Sequence, residues 1–202
     1  MSPAEPFHTM TVDLITDLPE DGPESYDTIL TVTDKFTKAV KFLPGRKDDS
    51  SVDWARSFQE RVVNGGWGYP GVLVSDRDPR FLSAFWKNLL RMAGAESIAT
   101  TAYHPAGDGQ SERTNQTLEI ALHYYVDGAQ RGWVRQLPFL EATLNNAESF
   151  TTEFAPNELL YGRKTRTALD LGACDTPLMG EIAELREAVR QEAVSAIKKS
   201  SG

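Results

Sequence analysis

Cysteine is nearly absent: Cys174 is the single one among 202 residues. That excludes an internal disulfide and fits a reducing compartment. Histidine is almost as scarce, at His8, His104 and His123, so a structural zinc site lacks ligands. No apolar run reaches the ~18 residues of a membrane span, so no membrane partner is expected. The opening MSPAEPFHTM has neither the basic start nor the apolar stretch of a signal peptide. Positive charge is also short. Twenty-one Lys and Arg against 29 Asp and Glu give a net charge of −8, the wrong sign for a broad basic field that grips nucleic acid. An excess of carboxylates remains compatible with a site that holds cations. No internal repeat and no low-complexity segment is present.

What the chain does contain is ordinary for a globular protein, with 40% hydrophobic and 25% charged residues. Its length suits one medium domain with an appendage. HTMTVDLIT is β-branched and partly alternating, PEDGPES is a turn cluster, and YDTILTVTD and AVKFLP read as two further strands. Short connections predict an antiparallel meander. DDSSVDWARSFQERVVNGG then reads as a helix capped at Ser50 or Ser51 and stopped at Gly65, with Val52, Ala55, Phe58 and Val62 at helical spacing. GVLVSD is a short strand, SAFWKNLLRMAG an amphipathic helix, and AESIATTA a fifth strand, which together predict a parallel crossover unit. Two helices are expected at about 111–126 and 133–147, an irregular stretch over 151–172, and a last helix over about 178–199. The fold class is therefore α/β: a mixed five-stranded sheet, antiparallel meander plus parallel crossover strands, flanked by helices.

Three carboxylates stand out, each with a bland explanation beside the chemical one. Asp13 lies inside a strand between Val12 and Leu14, where an acid is costly unless it faces water, is paired or holds a metal. Asp76 ends GVLVSD and suits a simple turn. Glu112 opens a helix, where its charge complements the helix dipole by roughly 0.3–1 kcal/mol. Glu112, Asn115, Gln116 and Glu119 share one helix face, apart from the apolar Leu118, Leu122 and Tyr125. In combination the acids suggest more. Magnesium takes a few carboxylates plus phosphate and water. Two such ions about 3.5–4 Å apart can activate a nucleophile and stabilise a leaving oxygen.

The segments TVDLITDLP, ILTVTDKFTKAVKFLP, VSDRDPRFLSAFWKNLL, TAYHPAGDGQSERTNQTLE and NELLYGRKTR together resemble the catalytic core of retroviral-type integrases, most closely those of gypsy-type LTR retrotransposons (Metaviridae). The resemblance covers about residues 8–168, and 35 residues separate Asp76 from Glu112, as in the D,D(35)E signature of that family. It implies a ribonuclease-H-like fold. It implies Asp13, Asp76 and Glu112 as the catalytic and metal-binding triad, with Mg2+ (or Mn2+), two ions when substrate is bound. The implied activity is that of a polynucleotidyl transferase and endonuclease: trimming of element DNA 3′ ends, then strand transfer into target DNA. His104 to Gln110 would form a loop at the site. His104, Gln110, Asn115, Gln116, Arg163 and Lys164 would contact DNA. Asp34, in TDKFTK, is a family feature read as structural or peripheral, not as a metal ligand.

The implied partners are element ends and target DNA, with a homo-oligomer and no small-molecule substrate. The implied place of action is the nucleus, after synthesis in the cytoplasm. Two departures are visible: Phe7 where a Trp is common, and AGDGQ where QTDGQ is common. The domain reading is a linker or truncated start at 1–7, the catalytic core at 8–168, and at 169–202 a linker and helix leading toward a further module. The zinc and DNA-binding modules usual on either side of such a core are not recognised, which suggests a polyprotein fragment. The alternative is a catalytically silent or domesticated relic that keeps the fold to bind nucleic acid or a partner. A ribonuclease H would fit the sheet, but GQSERTNQ and LLYGR point away from it.

Overall fold

The computed structural model describes residues 5–75, 83, 86–87, 90–91, 94, 96–99, 132–149, 152–163 and 165. Strands β1 (Thr9–Ile15), β2 (Thr28–Asp34) and β3 (Val40–Gly45) form the antiparallel meander. Strands β4 (Val72–Ser75) and β5 (Glu96–Ala99) add to it in parallel, giving the order β3-β2-β1-β4-β5. The five strands and their mixed directions agree with the sequence reading. The element next to β1 on its second side has to be parallel, because a crossover through helices separates them.

Alternation along the strands sends residues to two faces. Met10, Val12, Leu30, Val32, Leu43 and Leu73 line one core, against Trp54, Ala55, Phe58, Val62, Trp86 and Leu90. Ile15, Ile29, Val40 and Phe42 line the other, against Trp133, Leu137 and Leu140. β2 is buried along its whole length, as befits the interior strand of a sheet covered on both faces.

Helix α1 (Ser51–Phe58) begins with a reciprocal capping box. The Ser50 hydroxyl accepts from the Asp53 N–H at 3.3 Å, and the Asp53 carboxylate accepts from the Ser50 N–H at 3.0 Å. The chain then continues in wider π turns as α2 (Gln59–Trp67). It passes the expected stop at Gly65, and the break comes at Gly66, whose φ of 98° only glycine tolerates easily. The buried stripe also differs by one position from the sequence reading. Trp54, not Val52, enters the core, and Val52 is exposed. Gly45 explains why the large indole fits: any Cβ there would run into the Trp54 ring.

Helix α3 (Trp133–Asn146) covers the second face. Its N-terminal donors are met from afar. Asp21, in the β1–β2 loop, accepts from the N–H groups of Gly132 at 2.7 Å and Val134 at 2.8 Å. The Trp133 indole N–H donates to the Pro19 carbonyl at 2.8 Å. A short helix α4 (Pro156–Tyr161) lies within the stretch expected to be irregular; Pro156 at its first turn and the Glu158 carboxylate on the Ala155 N–H start it. Of the expected helix at SAFWKNLLRMAG, the described Trp86, Lys87, Leu90 and Arg91 are helical. The expected helices at 111–126 and 178–199 lie outside the described residues. Among the described residues no helix is long and apolar enough to cross a membrane.

Candidate active site

Asp13 sits near the middle of the sheet, in β1 between β2 and β4. It is half-buried. Its side chain is on the same face as Thr11, and cross-strand pairing puts Thr31 opposite Asp13 and Thr33 opposite Thr11. The result is a compact polar patch on that face of β1 and β2. Thr11, Thr31 and Thr33 are all buried. The Thr31 hydroxyl donates to the Asp13 main-chain carbonyl at 3.3 Å, and the Thr11 hydroxyl to the Thr33 carbonyl at 3.4 Å. The Asp13 carboxylate accepts from the N–H of Leu14 at 2.9 Å, a local bond that fixes its direction. The threonines were not singled out in the sequence. The signal was there, in the Thr31/Thr33 alternation with Leu30 and Val32.

The parallel pairing of β1 with β4 ends at Val12 opposite Ser75. In the sequence, Asp13 follows Val12 and Asp76 follows Ser75. Asp76, Glu112, His104, Gln110, Asn115, Gln116 and Lys164 lie outside the described residues. Among the described residues no three His, Cys, Asp or Glu side chains group together. Among the described residues, Asp13 and its threonine neighbours offer oxygen donors, the chemistry that suits Mg2+ or Mn2+ rather than a softer metal.

Asp34 is placed differently. It is fully buried at the end of β2, and its carboxylate accepts from the Phe7 N–H at 2.9 Å, the Thr37 N–H at 2.8 Å and the Thr37 hydroxyl at 2.6 Å. It organises the β2–β3 turn, as a structural residue would. In that turn, burial and the neighbouring Lys35 lower the affinity of Lys38 for its proton, and Asp34 partly opposes them. Phe7 stacks on Trp67 with ring centroids 4.8 Å apart, and the Lys41 ammonium lies 5.4 Å from that indole.

Arg163 is exposed, directly after the left-handed Gly162 that closes α4. The segment is tied back to the end of α3: the Asn146 side-chain oxygen accepts from the Thr165 N–H at 3.3 Å, the Thr165 hydroxyl at 3.0 Å and the Asn157 amide at 3.2 Å.

No protein-family model matches the chain. Curated relatives do match. The Tf2-3 and Tf2-4 transposon polyproteins of Schizosaccharomyces pombe are each 31% identical over 156 residues, which is 77% of this chain and 12% of each polyprotein. The chain thus spans about an eighth of the length of these relatives. Among solved structures, the HTLV-2 integrase catalytic core domain in complex with magnesium superposes with a TM-score of 0.60 at 18% identity, covering 77% of this chain and 97% of that one. The chain is thus similar to retrotransposon polyproteins and shares its fold with a retroviral integrase catalytic core. A catalytic core of BIV integrase gives a TM-score of 0.59 at 18% identity over 76% of this chain and 93% of that one. A chain of a simian T-cell lymphotropic virus intasome, in complex with the PP2A regulatory subunit B56 gamma, gives 0.65 at 17% identity over 80% of this chain and 57% of that one. At such identities these structures carry the ribonuclease-H-like fold. The retrotransposon character comes from the polyproteins.

Proposed function

We propose that this chain is an integrase core that catalyses phosphodiester transfer at the ends of retrotransposon DNA, with Asp13, Asp76 and Glu112 as its metal-holding carboxylates. The observation that carries the reading is the seating of Asp13. It is a half-buried acid in the central region of the sheet, one residue past the Val12–Ser75 pair. Asp76 directly follows Ser75 in the sequence and is taken as the second acid. Glu112 would complete the set from its helix start.

In the first reaction a water oxygen attacks a phosphodiester near the element's 3′ end, the new P–O bond replaces the old one, and a 3′-OH is left. In the second that 3′-OH attacks a target phosphodiester, and the displaced 3′ oxygen leaves with a proton. Bound Mg2+ or Mn2+, two ions when substrate is present, would polarise the phosphate and make the attacking oxygen more nucleophilic. The chain's part is positional. Thr31 and the Leu14 N–H hold the Asp13 segment in place. His104, Gln110, Asn115, Gln116, Arg163 and Lys164 would hold DNA, Arg163 from a segment anchored through Thr165 to Asn146. The partners are element ends and target DNA, the working form an oligomer that handles two ends together, and the place of action the nucleus.

The test is joining and disintegration of branched DNA in Mg2+ or Mn2+ by the wild-type chain and by Asp76→Asn. Wild type is expected to act and Asp76→Asn to fall to background while remaining folded. Equal activity in the two removes the triad assignment. Inactivity of the wild type, with flanking modules supplied, favours the fold as a silent binding module.

A further inference from the structure

A trans peptide points its carbonyl and its N–H to opposite sides of the chain. The peptide between Asp13 and Leu14 does this between two strands. Every second residue of a strand turns its main chain toward a given neighbour. On β1 the His8 carbonyl accepts from the Val72 N–H at 2.8 Å, so His8, Met10, Val12 and Leu14 form the set that faces β4. Asp13 belongs to the other set and faces Thr31 of β2. The pairing of β1 with β4 ends at Val12 and Ser75. Leu14 lies past that pair, and its N–H donates to Asp13 Oδ1 at 2.9 Å. At the other end of the same peptide, the Asp13 carbonyl accepts from the Thr31 hydroxyl at 3.3 Å. The two bonds therefore run in series through one peptide unit, from the hydroxyl to the carbonyl and from the N–H to the carboxylate. Hydrogen bonds in such a chain polarise one another, so a donor on the carbonyl strengthens the N–H as a donor. Thr31 is buried. Valine has the same shape, suits a strand and carries no hydroxyl to desolvate, so it is the hydroxyl that needs a reason.

We propose that Thr31 is a positioning residue for the metal at Asp13, acting through the peptide that joins Asp13 to Leu14. The inference rests on the reading of Asp13 as a metal-holding carboxylate. The Thr31 hydroxyl polarises the peptide, the Leu14 N–H grips one carboxylate oxygen, and the carboxylate is held in one direction before an ion arrives. A ligand set in advance has less freedom to lose on binding. Groups behind a metal ligand commonly tune affinity in this way.

The test compares the full 202-residue chain with Thr31→Val, Thr31→Ser and Asp13→Asn. Two readouts are taken: amide exchange at Leu14 without metal, and Mn2+ uptake followed by the free-ion paramagnetic resonance signal. In Thr31→Val the Leu14 amide should exchange at least about twofold faster, because its bond is weakened rather than lost. Half-saturating Mn2+ should rise at least about threefold, short of the roughly 10–100-fold cost of removing a group that touches the ligand itself. Thr31→Ser, which keeps the hydroxyl, should match wild type in both readouts. An unchanged Leu14 amide or unchanged Mn2+ uptake in Thr31→Val overturns the proposal and leaves the reading of Asp13 standing. So does a Thr31→Ser variant as weak as Thr31→Val, since the hydroxyl is then not the cause. No uptake by wild type, or full uptake by Asp13→Asn, overturns the reading of Asp13 and the role of Thr31 with it. If Thr31→Val does not fold, Thr31→Ala decides by the same two readouts.

Discussion

Asp34, at the end of β2, and Asp13, in the middle of β1, are strand aspartates in adjacent strands. The Asp34 carboxylate is fully buried and takes three bonds from Phe7 and Thr37, which close the β2–β3 turn and pin the approach to β1. The Asp13 carboxylate is half-buried, takes its local bond from the next residue's N–H, and stands among buried threonines. A buried acid is tolerated when its neighbours satisfy it. The first aspartate is satisfied by its own loop and serves the fold. The second shares a polar patch beside the end of β4, which is where a metal-dependent site would draw its ligands.

The sharpest way to break that contrast is to neutralise each acid. Asp13→Asn should reduce metal-dependent DNA joining to background, while its unfolding free energy in urea stays within about 1 kcal/mol of wild type. A large stability loss without loss of joining would reverse the roles. Asp34→Ala should do the opposite to the fold. Two backbone donors and a hydroxyl lose a charged acceptor in a buried site, so urea unfolding should report a loss of about 3 kcal/mol.

A third aspartate sharpens the comparison. Asp21 also serves the fold, but from a partly open loop, by capping α3. Asp21→Ala should therefore cost less than Asp34→Ala, about 1 kcal/mol by thermal or urea unfolding. The smallest effect is in pH dependence. Burial pushes the Asp21 carboxyl up, but the N–H groups of Val134, Gly132 and Gly22 outweigh it and hold the pKa below the ordinary 3.8. Its contribution is present above 3.8 and is lost as pH falls through the lower folded value. Glu141 runs the other way. Burial raises it above 4.5, against the Phe42 N–H, Lys41 and Arg61. Its contribution is fullest below 4.5 and is lost as pH rises through the folded value. Stability measured across the acid range should lose part of its acid limb in Asp21→Asn, and should climb more with pH in Glu141→Gln than in wild type.

Much of the fold was legible because its signals are local. Strand alternation, the Ser50 cap and the short meander turns all lie within a few residues of what they specify. What was not legible depends on distant partners. Asp21 caps a helix 111 residues away, and Glu141 and Asn145 meet β3 across 99 and 105 residues. Trp54 rather than Val52 enters the core because Gly45, on another element, leaves room for it. Helix α4 did leave a local trace, the Pro156 start with Glu158 behind it, inside a stretch read as irregular. For the site, the sequence singled out Asp13 by its apolar flanks, and the structure adds the threonine patch that only strand pairing brings together.

The central claim is that Asp13 holds metal. Titration of the folded chain with Mn2+, followed by the loss of the free-ion paramagnetic resonance signal, tests it most directly. The wild-type chain should take up Mn2+ and Asp13→Asn should lose that uptake while still folded. Undiminished uptake by Asp13→Asn would contradict the claim.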